Sequence, residues 1–136
     1  MREYRFDMSP YGISRYAYEE LKAFCLQYPE KRAKADALAG LSGNPLSGMP
    51  PNGGGLSTVE RAVERREKYM TDCDVIDRAA SEADGGRFQK ALILHVCYRV
   101  PYALIDTAIL PTSRRNAFFR AKREFYFLLW QKKYGI

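Results

Sequence analysis

The stretch Val100–Tyr134, VPYALIDTAILPTSRRNAFFRAKREFYFLLWQKKY, decides the fold. It predicts a short helix from about Pro101 to Ala108, a turn around Pro111 and a long basic helix. Pro101 suits a first helical position, where its missing N–H has no intrahelical partner anyway. Thr112 or Ser113 can cap the long helix by accepting from the free N–H groups of its first turn. A short helix, a tight turn and a second helix make a helix-turn-helix, whose second helix can enter the major groove of DNA.

The long helix has two chemically distinct sides. At about 100° per residue, Phe118, Ala121, Phe125, Leu128 and Leu129 fall on one core-facing stripe. Asn116, Arg120 and Arg123 fall opposite it, and Arg114 and Arg115 occupy the first turn. Arginine can meet guanine edges bidentately and asparagine can do the same with adenine; arginines also serve as plain phosphate contacts. From Pro111 onward there are seven Lys or Arg (114, 115, 120, 122, 123, 132, 133) and one acid, Glu124. The fifteen basic and fifteen acidic residues before it cancel, so the whole formal charge of +6 falls in the last segment. A field gathered at one end favours a polyanion such as double-stranded DNA. The plainer reading of such a charge run is a solvated helix face. The second half of the helix also carries Tyr126, Phe127 and Trp130, with Phe119 nearer the start, away from the core stripe. That part needs a second cover, from this chain or from a second copy; an aromatic platform for single-stranded bases is the other use of such residues.

Working outward, Arg87–Arg99 predicts a scaffold helix through Phe88, Ala91, Leu92, His95 and Val96. Leu56–Ala83 is the longest regular pattern. Ser57-Thr58-Val59-Glu60 reads as a capping box. Val59, Ala62, Val63, Tyr69, Met70, Cys73, Ile76, Ala80 and Ala83 trace one stripe, and Gly85-Gly86 ends the helix. GLSGNPLSGMPPNGGG (40–55) has no periodicity and predicts a linker. Ahead of it, Ala17, Leu21, Phe24, Cys25 and Tyr28 recur at helical spacing, and PEKRAKADALAGL restarts with Pro29 at a tolerated first position. One bent helix and two separate helices both remain open here. Met1–Met8 reads as a loose arm. The expected architecture is all-α: an N-terminal helical segment (1–41), a Gly/Pro linker (42–56), a long central helix (57–84) and a three-helix DNA-binding unit (85–136).

Size and composition exclude several classes. The 136 residues suit one domain or a domain with an appendage. No apolar run approaches the roughly 18 residues a membrane-crossing helix needs. MREYRFDMSPYG lacks the apolar centre of a signal peptide, so cytoplasmic residence without a membrane is expected. Cys25, Cys73 and Cys97 are three, widely spaced and never in CxxC pairs, which points to buried small hydrophobes rather than disulfides or zinc. His95, the one histidine, sits on an apolar face and reads as a core or boundary residue. Asp72, Asp74, Asp77, Glu82 and Asp84 are the acidic cluster that could suggest a metal-dependent nuclease, but two-metal chemistry needs carboxylates converging from several elements. No nucleophile–base constellation has both partners. The expectation is a protein without catalytic activity, metal or cofactor.

Three segments carry a family likeness: YEELKAFCLQYPE (18–30), VERAVERRE with DCDVIDRAASEA (59–67 and 72–83), and VPY with LPTSRRNAFFRAKREFYFLLWQKK (100–102 and 110–133). Together they resemble small phage- and prophage-encoded proteins of Firmicutes. The C-terminal part is similar to the helix-turn-helix of sigma factor region 4 and of ArpU-type phage late-gene regulators. The resemblance implies a sequence-specific DNA-binding role in a phage genetic programme, with RNA polymerase as a further partner. By motif position it places the DNA contacts on Ser113, Arg114, Arg115, Asn116, Arg120 and Arg123, to which the capping Thr112 is added. Sigma-type recognition helices usually carry a β-branched residue and a Glu where this one is aromatic.

The favoured reading is therefore a dimeric transcriptional regulator, with two such units on half-sites about one helical turn apart. A DNA-packaging protein similar to a terminase small subunit and a helical adaptor for an acidic protein are the alternatives.

Overall fold

The computed structural model describes residues 6–42, 58–111 and 114–135, with the backbone alone for 40–42. The fold is all-α. Among the described residues there are five α-helices and four short 3-10 turns, and no strand: α1 (Arg15–Leu26), α2 (Tyr28–Ser42), α3 (Thr58–Glu82), α4 (Gln89–Val96) and α5 (Arg115–Tyr134). The chain divides into two compact units. One comprises Met1–Gln27 with Val75–Ile136, the other Tyr28–Asp74.

In the larger unit, α1 starts where Ser14 turns extended and its side chain accepts the Ala17 N–H at 3.1 Å. Such a cap satisfies one of the N–H groups that a helix start leaves unpaired. α1 stops at Leu26, and Gln27 donates its N–H back to Phe24 at 3.2 Å. α2 then begins at Tyr28, with Pro29 in its first turn, so the segment is two helices. The far end of α3 closes on Asp84, Gly85 and Gly86, all left-handed with φ of 48°, 66° and 84°. At Gly86 the glycine is required by space as well as by φ: a Cβ there would lie 2.7 Å from the Ser81 carbonyl oxygen.

The core of this unit is the helical stripe the sequence spells out. Phe118, Ala121, Phe125 and Leu129 of α5 are buried, as are Phe88, Ala91, Leu92 and Val96 from the α4 region and Ile76, Ala79, Ala80 and Ala83 from the end of α3. Phe88 and Phe118 meet edge-on at 5.7 Å. Burying side chains of this size contributes about 2–3 kcal/mol each. Ion pairs tie the C-terminal end of α5 down: Lys132 to Glu82, and Lys133 to Glu20 at 3.5 Å. The Tyr134 hydroxyl donates to Glu20 as well.

Three expectations change. The short helix over 101–108 is absent; Tyr102–Leu104 and Thr107–Ile109 are separate 3-10 turns, and Pro101, Ile105 and Asp106 between and before them are extended. The physical reason is local. Asp106 accepts the Ala108 N–H at 2.9 Å, which starts a new turn rather than continuing one. Ile105 and Thr107 are β-branched, which lowers the helix propensity of the segment further. The expected pair of helices is thus a looped connection followed by one α-helix.

The end of the expected arm is the second change: residues 1–5 lie outside the described residues, but Met8 is buried and Phe6 packs at 5.4 Å from Tyr18 and 5.9 Å from Tyr126. Tyr126 is itself buried, so the second apolar side of α5 is covered here by its own chain. The third concerns the predicted α3 stripe. Ala62, Cys73, Ile76, Ala80 and Ala83 are buried, but Val59 and Val63 stand about 40% exposed.

The smaller unit holds α2 and the first part of α3. Lys31 pairs with Asp72 at 2.9 Å, Lys34 lies 5.8 Å over the Tyr69 ring, and the Cys73 thiol points at the Tyr28 carbonyl from 3.9 Å. Ala35 and Ala62 are buried. All three cysteines are free and buried. No helix among the described residues is long and apolar enough to cross a membrane. Of the expected linker, residues 40–42 belong to α2, and the rest lies outside the described residues, as does Ser57 of the capping box.

Candidate nucleic-acid interface

The start of α5 is where exposed cationic side chains gather. Arg114, extended at φ −75° and ψ 106°, precedes the helix and makes no side-chain cap bond. Arg114, Arg115, Asn116 and Arg120 are all exposed. They share a hollow of about 560 Å³, lined by Arg87, Arg114, Arg115, Asn116, Ala117 and Arg120. Four of its six lining residues are arginines, and no acidic residue is among them. Behind these groups the helix is fixed by buried Phe118 and Ala121, so the front is presented by a rigid element.

The arginines differ in how they are held. The Arg115 guanidinium lies 5.0 Å over the Phe119 ring and 5.6 Å over Tyr102, which orders it without neutralising it. Arg87 donates from Nε at 3.0 Å and from Nη2 at 2.6 Å to one carboxylate oxygen of Asp84. Arg123 is different. It is half-buried, 5.2 Å over the Phe6 ring, and close enough to Asp7 to help lower that carboxyl's pKa. Asn116 and Arg120, one helical turn apart, therefore form the open part of the expected reading face; Arg123 stands under the arm. Thr112 and Ser113 lie outside the described residues.

Beside this face, Lys122 is partly buried. Its ammonium donates to His95 Nε2 at 3.0 Å and lies 4.6 Å over Phe6 and 5.4 Å over Phe119. His95 Nδ1–H donates to the Val100 carbonyl at 2.9 Å, which leaves Nε2 as the acceptor for Lys122. Burial, with Lys22 and Arg123 adding like charge, brings the Lys122 pKa down to about 8. Burial first, then the neighbouring Lys122 charge, lowers that of His95. The pair reads as a packed support for the loop before α5.

The charge bookkeeping of the last segment changes accordingly. Lys132 and Lys133 are matched by Glu82 and Glu20. The open positive field is left to the first two turns of α5, joined by Arg87 from the corner after α3. Spacing along the chain misses Arg87, because it belongs to a segment whose charges cancel on counting. The signal available was its place just after Gly85-Gly86, where a chain reversal aims the next side chain somewhere new. Among the described residues, no group of three or more His, Cys, Asp or Glu side chains is arranged to hold a metal ion. No protein-family model, curated protein or solved structure matches the chain.

Proposed function

We propose that this protein binds double-stranded DNA with sequence preference through the first two turns of α5. The observation that carries the reading is the hollow lined by Arg87, Arg114, Arg115 and Arg120 with Asn116 at its edge. Gathering four cations in one hollow costs repulsion, which a polyanion relieves. Asn116 and Arg120 supply the side-chain types that pair bidentately with adenine and guanine, while Arg114 and Arg115 suit phosphate oxygens. The reading does not require a helix-turn-helix: α5 needs only to be long, rigidly backed and open at its front. An α-helix enters the major groove on those terms.

The wider role follows from the resemblance drawn above: a transcriptional regulator of a phage or prophage, acting as a homodimer on paired half-sites and meeting RNA polymerase. A gel-shift panel tests the core of it. Asn116→Ala and Arg120→Ala should narrow the gap between preferred and scrambled duplexes, whereas Arg115→Ala should weaken both alike. Three variants that bind like the parent would remove α5 from the groove. Absence of binding to any duplex at low salt, where phosphate attraction is strongest, would favour an acidic protein partner instead.

A further inference from the structure

The residue to which the duplex reading gives no role is Arg87, and the corner that carries it has three successive residues with left-handed φ. Asp84 is a non-glycine residue at φ 48° and ψ 42°, followed by two left-handed glycines. Strain of this kind costs about 1–3 kcal/mol and persists only where its surroundings enforce it. Here they do. The Asp84 N–H donates to Glu124 Oε2 at 3.2 Å, which ties the corner to α5. The Asp84 carboxylate then takes two N–H donors of Arg87, and the guanidinium lies 5.3 Å over the buried Phe88 ring. Glu124, Asp84 and Arg87 thus form a relay that starts on α5 and ends in a guanidinium lining the cleft.

The acids and the cations are sorted. Asp84 and Glu124 line a small adjoining hollow of about 70 Å³, together with Arg87 and Arg120, and are missing from the lining of the large one. The Asp84 carboxylate holds Arg87 from the side of the small hollow, and no acidic residue lines the large one. Arg87 uses two of its five N–H donors on Asp84, so three remain for an oxyanion.

We propose that Arg87 is a phosphate ligand: it closes the cleft from the corner after α3 and, with Arg114 and Arg115, grips a phosphodiester of the duplex backbone. Asn116 and Arg120 are then left for base edges. The assignment rests on the duplex reading, and it makes Arg87 a contact that sets register and affinity and carries no sequence information.

The test is a salt series on the intact chain, with Arg87→Gln, Arg87→Lys and Arg115→Ala, by fluorescence anisotropy on preferred and scrambled duplexes. Losing one phosphate contact lowers the slope of log affinity against log salt by about 0.9. The deficit of Arg87→Gln should therefore shrink about 3.5-fold between 50 and 200 mM salt, equally on both duplexes, and Arg87→Lys should keep the parent slope. If Arg87→Gln keeps that slope while Arg115→Ala loses one contact, Arg87 is outside the interface and the duplex reading stands. If the parent binds no duplex at 50 mM salt, the duplex reading falls, and inorganic pyrophosphate decides the cleft on its own. Arginine Nε–H resonances followed by NMR should then move together for Arg87, Arg114 and Arg115; an unmoved Arg87 refutes the phosphate role.

Discussion

Replacing Lys122 by Met should make the protein more stable near neutrality, by an amount that shrinks as pH rises. The ammonium is held down to about 8 by burial first and then by the charges of Lys22 and Arg123, against 10.5 in the unfolded chain. The sign follows from proton counting. Between 8 and 10.5 the unfolded chain binds more protons than the folded one, so the Lys122 contribution to stability rises with pH across that window. Below 8 its full cost is present. At about 1.4 kcal/mol per tenfold change in proton affinity, that cost is about 3 kcal/mol at pH 7, and about 1 kcal/mol of it is recovered by pH 9. Methionine keeps the stem and removes the charge. It also gives up the bond to His95 Nε2 at 3.0 Å and the placement over Phe6 and Phe119, together about 2 kcal/mol. The net expectation is a gain of about 1 kcal/mol for Lys122→Met at pH 7, gone by pH 9. His95 faces Lys122 directly but titrates below the window, its pKa being lowered by its own burial and by Lys122. Burial holds Tyr126 well above 10 and Tyr18 near 12, beyond the window. Urea unfolding of parent and variant at pH 7 and 9, at fixed salt, reads the difference of differences. A Lys122→Met advantage that stays constant or grows from pH 7 to pH 9 would refute the claim that this ammonium is held against its solvation.

Four further outcomes are expected. Gly86→Ala should destabilise by at least about 2 kcal/mol, because a Cβ there meets the Ser81 carbonyl at 2.7 Å with φ at 84°. Gly12→Ala, with equal φ strain and nothing within 4 Å, should cost only about 1 kcal/mol; equal losses in thermal unfolding would contradict the steric account. Phe118→Ala should cost about 3–5 kcal/mol, since the ring is fully buried among Phe88, His95 and Tyr102, and denaturant unfolding checks it. Arg123→Ala should weaken duplex binding less than Arg120→Ala does, because Phe6 lies over Arg123; the reverse order in a titration would mean that the arm leaves α5 when DNA arrives.

The parts of the fold that periodicity reveals are those where one long element buries one face. The α5 stripe of Phe118, Ala121, Phe125 and Leu129, the α4 face and the stop at Gly85-Gly86 all follow from spacing and backbone chemistry. The Pro101–Ala108 segment does not, because a proline suits a helix start and an extended entry equally. What decides it is Asp106 capping its own short turn. Eight residues also carry too few repeats for a helical period to stand out.

The arm is illegible for another reason. Phe6 packs on Tyr18 and on Tyr126, the latter 120 positions away, and no local pattern encodes that. The candidate interface divides along the same line. Arg114, Arg115, Asn116 and Arg120 stand open as their helical phase implies, while Arg123 shares that phase and is covered from afar. Arg87 joins them only because the chain reverses at a left-handed corner, and the His95–Lys122 bond spans 27 residues.

The most direct measurement is the affinity of the intact chain for a mixed-sequence duplex across a salt series, set beside a triple variant carrying Arg114→Ala, Arg115→Ala and Arg120→Ala. Each phosphate contact contributes about 0.9 to the slope, so a parent slope of about 3 or more should fall by about two in the variant, which loses the phosphate contacts of Arg114 and Arg115, while its helicity stays unchanged. A folded triple variant that keeps the parent slope, or a parent that binds no duplex at 50 mM salt, would contradict the claim that the open front of α5 meets a double-stranded polyanion.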